Sequence, residues 1–135
     1  MSYDPSAAVE YARKYWNNYN PDYHNYANDG GDCANFVSQC LIAGGLNFKD
    51  CTVNRIDDKG CLQDVVDLKS SLSQKGWHNS TQIPPSFKAG YPVFLQKGSH
   101  VMLASSFDGK TVKVSGHTNN RWDYEVGENL IYYYL

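Results

Sequence analysis

The chain has 135 residues, with 12 Lys and Arg against 14 Asp and Glu, for a formal net charge of −2. That length suits a single domain over residues 1–135 around one core, and the charge balance lacks the basic excess of a protein that grips phosphate backbones, so nucleic acid is not an expected partner. No apolar run is long enough to span a bilayer, and residues 1–20 lack the charged start and continuous apolar stretch of a signal peptide.

In chain order, Asp4-Pro5 reads as a helix N-cap followed by proline at the first helical position. Ala8, Tyr11, Ala12, Tyr15 and Trp16 then recur at helical spacing, which predicts an amphipathic helix over 4–16. Residues 17–32 form a polar loop ending in the turn Asn28-Asp29-Gly30-Gly31-Asp32. A second helix is expected over 33–43, with Phe36, Val37, Cys40 and Leu41 on one buried face and Gly44-Gly45 as its stop. Residues 46–61 carry no periodicity, and 62–75 give a third helical pattern through Leu62, Val65, Val66 and Leu72, closed by Gly76. A loop with Trp77 and Pro84-Pro85 leads into strand-like runs at 91–96, 99–107, 111–117 and 130–134. Helices precede strands, so the expected class is α+β.

Asp108-Gly109, between two of these runs, is a strong signal for a two-residue hairpin turn. In that register Phe107 pairs with Lys110, and Val101, Leu103 and Ser105 face Gly116, Val114 and Val112. His100 then lies across from His117, with Cβ atoms about 4.5–5.5 Å apart.

The four cysteines are Cys33, Cys40, Cys51 and Cys61. Their wide spacing does not fit a zinc site, so no metal is expected. Cys51 and Cys61 share a loop-like stretch, where pairing as a disulfide stays open. Cys40, inside the second helix, reads as an apolar filler. Cys33 differs because it opens that helix behind a glycine turn. Unpaired amides and the helix dipole there favour a thiolate, and the Cys33 N–H can donate to a developing oxyanion. A cysteine hydrolase then needs a base and an orienting polar group. His100 and His117 supply both if the sheet packs against the start of the Cys33 helix. His24 and His78 fall in polar loops and are assigned no chemistry.

These residues resemble a known family. Gly31-Asp32-Cys33-Ala34-Asn35-Phe36-Val37-Ser38-Gln39-Cys40 with Ala43-Gly44-Gly45 is similar to the signature of the bacterial putative amidase domain, within the papain-like superfamily of NlpC-type peptidases and CHAP amidases. Tyr3-Asp4-Pro5-Ser6-Ala7-Ala8-Val9-Glu10-Tyr11-Ala12, Ser99-His100-Val101-Met102-Leu103 and Val114-Ser115-Gly116-His117-Thr118-Asn119 match in order. Ala34 stands where the family more often has Thr, and Tyr91-Pro92 replaces the usual Gly-Asp before the histidine strand.

The resemblance implies an α+β papain-like core with the Cys helix packed on an antiparallel sheet. It makes Cys33 the nucleophile, His100 the general base and His117 the orienting residue, with Asn119 as the alternative for that last role. It implies cleavage of peptidoglycan amide bonds through a thioester, either between sugar and stem peptide or within the stem, with no cofactor. Tyr26 and Asn28 are the candidates for a second oxyanion donor, and Trp77, Trp122 and Tyr124 for a substrate groove. Asp32, whose charge would oppose a thiolate at Cys33, is expected to turn away and bond the loop. A monomer that is extracellular or directed to the cell wall fits this reading. The alternatives are a papain-like hydrolase of a protein or other amide, including a toxin or effector, and a non-catalytic glycan- or peptide-binding module.

Overall fold

Helix α1 (Pro5–Tyr15) begins where the sequence places it: Asp4 is the N-cap, its carboxylate accepts the Ala7 N–H at 3.2 Å, and Pro5 fixes the first helical φ. The computed structural model describes residues 2–27, 32–97, 100–117, 121–127 and 129–135. Helix α2 (Cys33–Ala43) buries every residue from Ala34 to Leu41 and is the centre of the core. It ends in a Schellman motif, with Gly45 N–H on the Ile42 carbonyl, Leu46 N–H on the Leu41 carbonyl, and Gly45 at φ 111°. Helix α3 (Val65–Gln74) closes in the same way through Gly76 and Trp77, with the Trp77 N–H on the Leu72 carbonyl. The aperiodic stretch before α3 is pinned to it by Asp67, a buried carboxylate that accepts the Asn54 and Arg55 N–H groups at 3.2 and 3.1 Å.

Among the described residues six strands follow: β1 (His78–Ser80), β2 (Pro92–Leu95), β3 (Val101–Phe107), β4 (Val112–Gly116), β5 (Arg121–Glu125) and β6 (Leu130–Tyr134). They form one sheet in the order β1-β6-β2-β3-β4-β5, every pairing antiparallel. Helices α1 and α2 pack against each other and against β3, and α2 also reaches β4. The class is therefore α+β, helices on an antiparallel sheet. No described helix is long and apolar enough to cross a membrane.

Strands β1 and β5 are not predicted by the sequence. His78-Asn79-Ser80 and Arg121-Trp122-Asp123-Tyr124-Glu125 lie at the two edges of the sheet, where a strand needs no apolar alternation to be held by its one neighbour.

The β3–β4 register corrects the expected hairpin. Phe107 pairs with Val112, not Lys110. The Asp108 carboxylate accepts the Lys110 and Thr111 N–H groups at 2.9 and 2.7 Å, so Asp108 to Thr111 make a longer connection around Gly109 at φ 95°. The register then shifts between Ala104 and Ser106. Ser105 and Ser106 both donate to Asp123 Oδ1, at 2.9 and 2.7 Å, and Asp123 takes the left-handed φ of 53° while its N–H donates to Ser115 Oγ. Beyond this bulge Leu103 faces Ser115 and Ala104 faces Val114. The same register brings Gly116 beside Met102, where a Cβ would lie 3.8 Å from Met102 Cγ. His117 accordingly falls next to Val101, not across from His100.

Candidate active site

Cys33 is the first residue of α2 and is half-buried against the core. A helix leaves its first amides without intrahelical partners, so donors and a positive dipole end converge here. Two of the other thiols are buried. Cys40, Cys51 and Cys61 are not joined in disulfides, burial pushes the Cys40 and Cys61 thiols well above the ordinary range, and Cys51 Sγ lies 3.9 Å from the Ser71 carbonyl.

Asp32, the residue before Cys33, is the N-cap of α2 yet its side chain makes no capping bond to a backbone N–H of that helix. Its carboxylate is buried and turned to the loop: Oδ1 accepts the Tyr26 N–H at 2.9 Å and the Asn35 Nδ2 at 2.8 Å. Oδ2 faces His117 Nδ1 at 2.5 Å, and both side chains are 1% exposed. His117 Nε2 faces the Tyr15 carbonyl at 2.7 Å. The imidazole is stacked on Phe36 of α2, 3.9 Å between centroids at 27°, and Tyr19 covers it at 4.3 Å. The end of β4 is thereby bolted to the start of α2 and the end of α1.

His100 immediately precedes β3, and its carbonyl accepts the Leu95 N–H at 3.1 Å. Because β3 starts beside the end of β4, His100 stands at the sheet end that His117 fastens to the Cys33 end of α2. Burial lowers its imidazole below the usual histidine value, favouring the neutral ring a general base requires.

The model of a family described as "Putative amidase domain" matches residues 2–84, more than half of the chain. The chain belongs to that amidase family. The matched region runs from α1 through β1 and includes Asp32 and Cys33; His100 and His117 lie beyond it. A 49-residue stretch is 54% identical to the uncharacterized protein YhbB of Bacillus subtilis (strain 168), covering 36% of this chain and 15% of that protein. This amidase-domain chain thus spans well under two thirds of that relative. No solved structure matches the chain.

Other expected site residues of the amidase domain separate in space. The Tyr26 hydroxyl donates to Asp57 at 3.0 Å and its N–H donates to Asp32, so neither serves as the second oxyanion donor in this arrangement. Burial and that bond to Asp57 push the phenol up to about 12. Asn28 and Asn119 lie outside the described residues. Trp77 is core, not groove: it is 4% exposed and wedged edge-on between Tyr3 and Tyr91 at 5.3 and 5.2 Å. Trp122 and Tyr124 are half-buried on edge strand β5, under the Arg13 and Arg121 guanidinium groups at 5.0 Å each. His24 bonds Asp58 at 2.6 Å and His78 pairs with Tyr134 in the sheet.

Three participants escape sequence reasoning: Tyr19, the Tyr15 carbonyl, and the Asp32–His117 pair itself. Asp32 beside Cys33 was the one available signal. Its partner is 85 positions away, and only the bulged β4 end reveals it.

Proposed function

We propose that this amidase domain is a papain-like cysteine hydrolase of the NlpC/CHAP type that cleaves amide bonds in peptidoglycan. The observation that carries the reading is Cys33 at the first turn of the buried helix, with His100 on the strand end fastened to that turn. Cys33 gives its proton to His100, and Sγ attacks the amide carbonyl carbon. The oxyanion is held by the amides at the start of α2. As the C–N bond breaks, His100 passes the proton to the leaving amine, leaving a thioester on Cys33. His100 then takes a proton from water, the hydroxide displaces Sγ, and the acid product leaves with the thiol restored. The Tyr26 and Trp77 roles are no part of this reading, and His117 acts through Asp32 instead of through His100.

The substrate class rests on the resemblance around Cys33, His100 and His117, and a cell-wall target implies action outside the cytoplasm. Digestion of purified peptidoglycan, followed by mass analysis of the soluble products, tests both bond and target. Free stem peptides with new N-terminal alanine identify the sugar–peptide bond, and cut stems identify an endopeptidase. Walls recovered without either product overturn the reading.

A further inference from the structure

We propose that His117 is a positioning imidazolium that cancels the charge of Asp32 next to Cys33. The assignment follows from which atoms can hold protons. The Tyr15 carbonyl can only accept, so His117 Nε2 at 2.7 Å must be an N–H. Asp32 Oδ1 already accepts two N–H groups, from Tyr26 and Asn35, the donor pattern of a carboxylate. Its Oδ2, 2.5 Å from Nδ1, is then also an acceptor and takes a second ring N–H. With both nitrogens donating, the ring is a cation. Asp32, at the N-cap of α2, and Tyr19, from the segment after α1, are titratable groups that face it; Phe36 supplies a flat apolar face from α2. Burial and the Asp32 charge raise the Tyr19 phenol, which therefore stays neutral.

The consequence concerns the nucleophile. A bare carboxylate one residue from Cys33 would oppose formation of the thiolate. Paired with an imidazolium in a dry setting, Asp32 contributes almost no net field at Cys33, and the helix dipole is left to act. The same pair joins α1, α2 and β4, so it also fixes where the first turn of α2 sits relative to His100. The effect on reactivity rests on Cys33 being the nucleophile; the charge state of His117 does not.

Two measurements on the full chain test this. A long-range proton–nitrogen correlation spectrum at pH 7 should show both ring nitrogens of His117 protonated; one unprotonated nitrogen overturns the assignment. The second is the rate of Cys33 alkylation by iodoacetamide against pH, read by peptide mass. In His117→Gln the profile should move to higher pH by about one unit, and in the Asp32→Asn/His117→Gln double variant it should return to the wild-type position. An unmoved profile, or one the second substitution leaves displaced, contradicts the proposal. If His117→Gln does not fold, the wild-type ring spectrum decides. Peptidoglycan left intact by a protein with the expected spectrum and alkylation profiles would overturn the hydrolase reading alone.

Discussion

The places of Cys33 at the start of α2 and of His100 before β3 were both legible in the sequence, for different reasons. Cys33 is marked by the glycine-rich stretch before it in sequence and by the apolar helix after it, and that helix starts where the pattern predicts. His100 is marked by the strand it opens. The packing of His117 against Asp32 was not legible, because a bulge at Ser105 and Ser106 on the neighbouring strand, bonded to Asp123, decides which neighbour it meets. The proposed base has a pH consequence. Only neutral His100 can take the Cys33 proton, and burial lowers its pKa, so protonation shuts the enzyme off only at more acid pH than for a free imidazole. The acid limb of kcat/KM should therefore have its midpoint below about 6.5. A midpoint at or above that value, measured in a buffer series, contradicts the assignment. Replacing His100 by Ala should lower kcat by about 10²–10⁴-fold while leaving the melting temperature nearly unchanged; retained turnover would move the base elsewhere.

Helix ends were the most readable elements. Asp4-Pro5, Gly44-Gly45 and Gly76 act within their own turn, so local chemistry is enough to place them. The hairpin was misplaced because the Asp108 side chain, binding two amides ahead, builds a longer connection than the Asp-Gly pair announces. Edge strands β1 and β5 were unreadable because their polar residues are held by one neighbour and not by a buried face. Gly90 shows a constraint that no local pattern carries: it sits at φ 98°, and a Cβ there would lie 2.4 Å from the Pro5 carbonyl oxygen at the start of α1. Gly76 has a similar φ of 88° but open space around it. Gly90→Ala should therefore lower the melting temperature by clearly more than Gly76→Ala, with a loss in stability above about 1 kcal/mol. Equal effects in thermal melts would mean that the contact with α1 relaxes freely.

At the scale of the molecule, the order of helices and then strands was enough to give the α+β class, and the burial of α2 on the sheet makes one core serve both stability and chemistry. Phe36 is the clearest case: fully buried in α2, it also backs the His117 ring at 3.9 Å. Phe36→Ala should cost about 3–5 kcal/mol in denaturant unfolding and loosen the Asp32–His117 pair with it, seen as exchange broadening of the His117 ring signals. A loss below 1 kcal/mol would be at odds with such a core position. The proposed hydrolase uses Cys33 alone among its four cysteines as nucleophile. A comparison of wild type and Cys33→Ala for cleavage of peptidoglycan amide bonds, with thermal melts of both proteins alongside, tests this. Wild type should release amide products, Cys33→Ala none, and the melts should match; equal product from the folded Cys33→Ala variant would overturn the assignment.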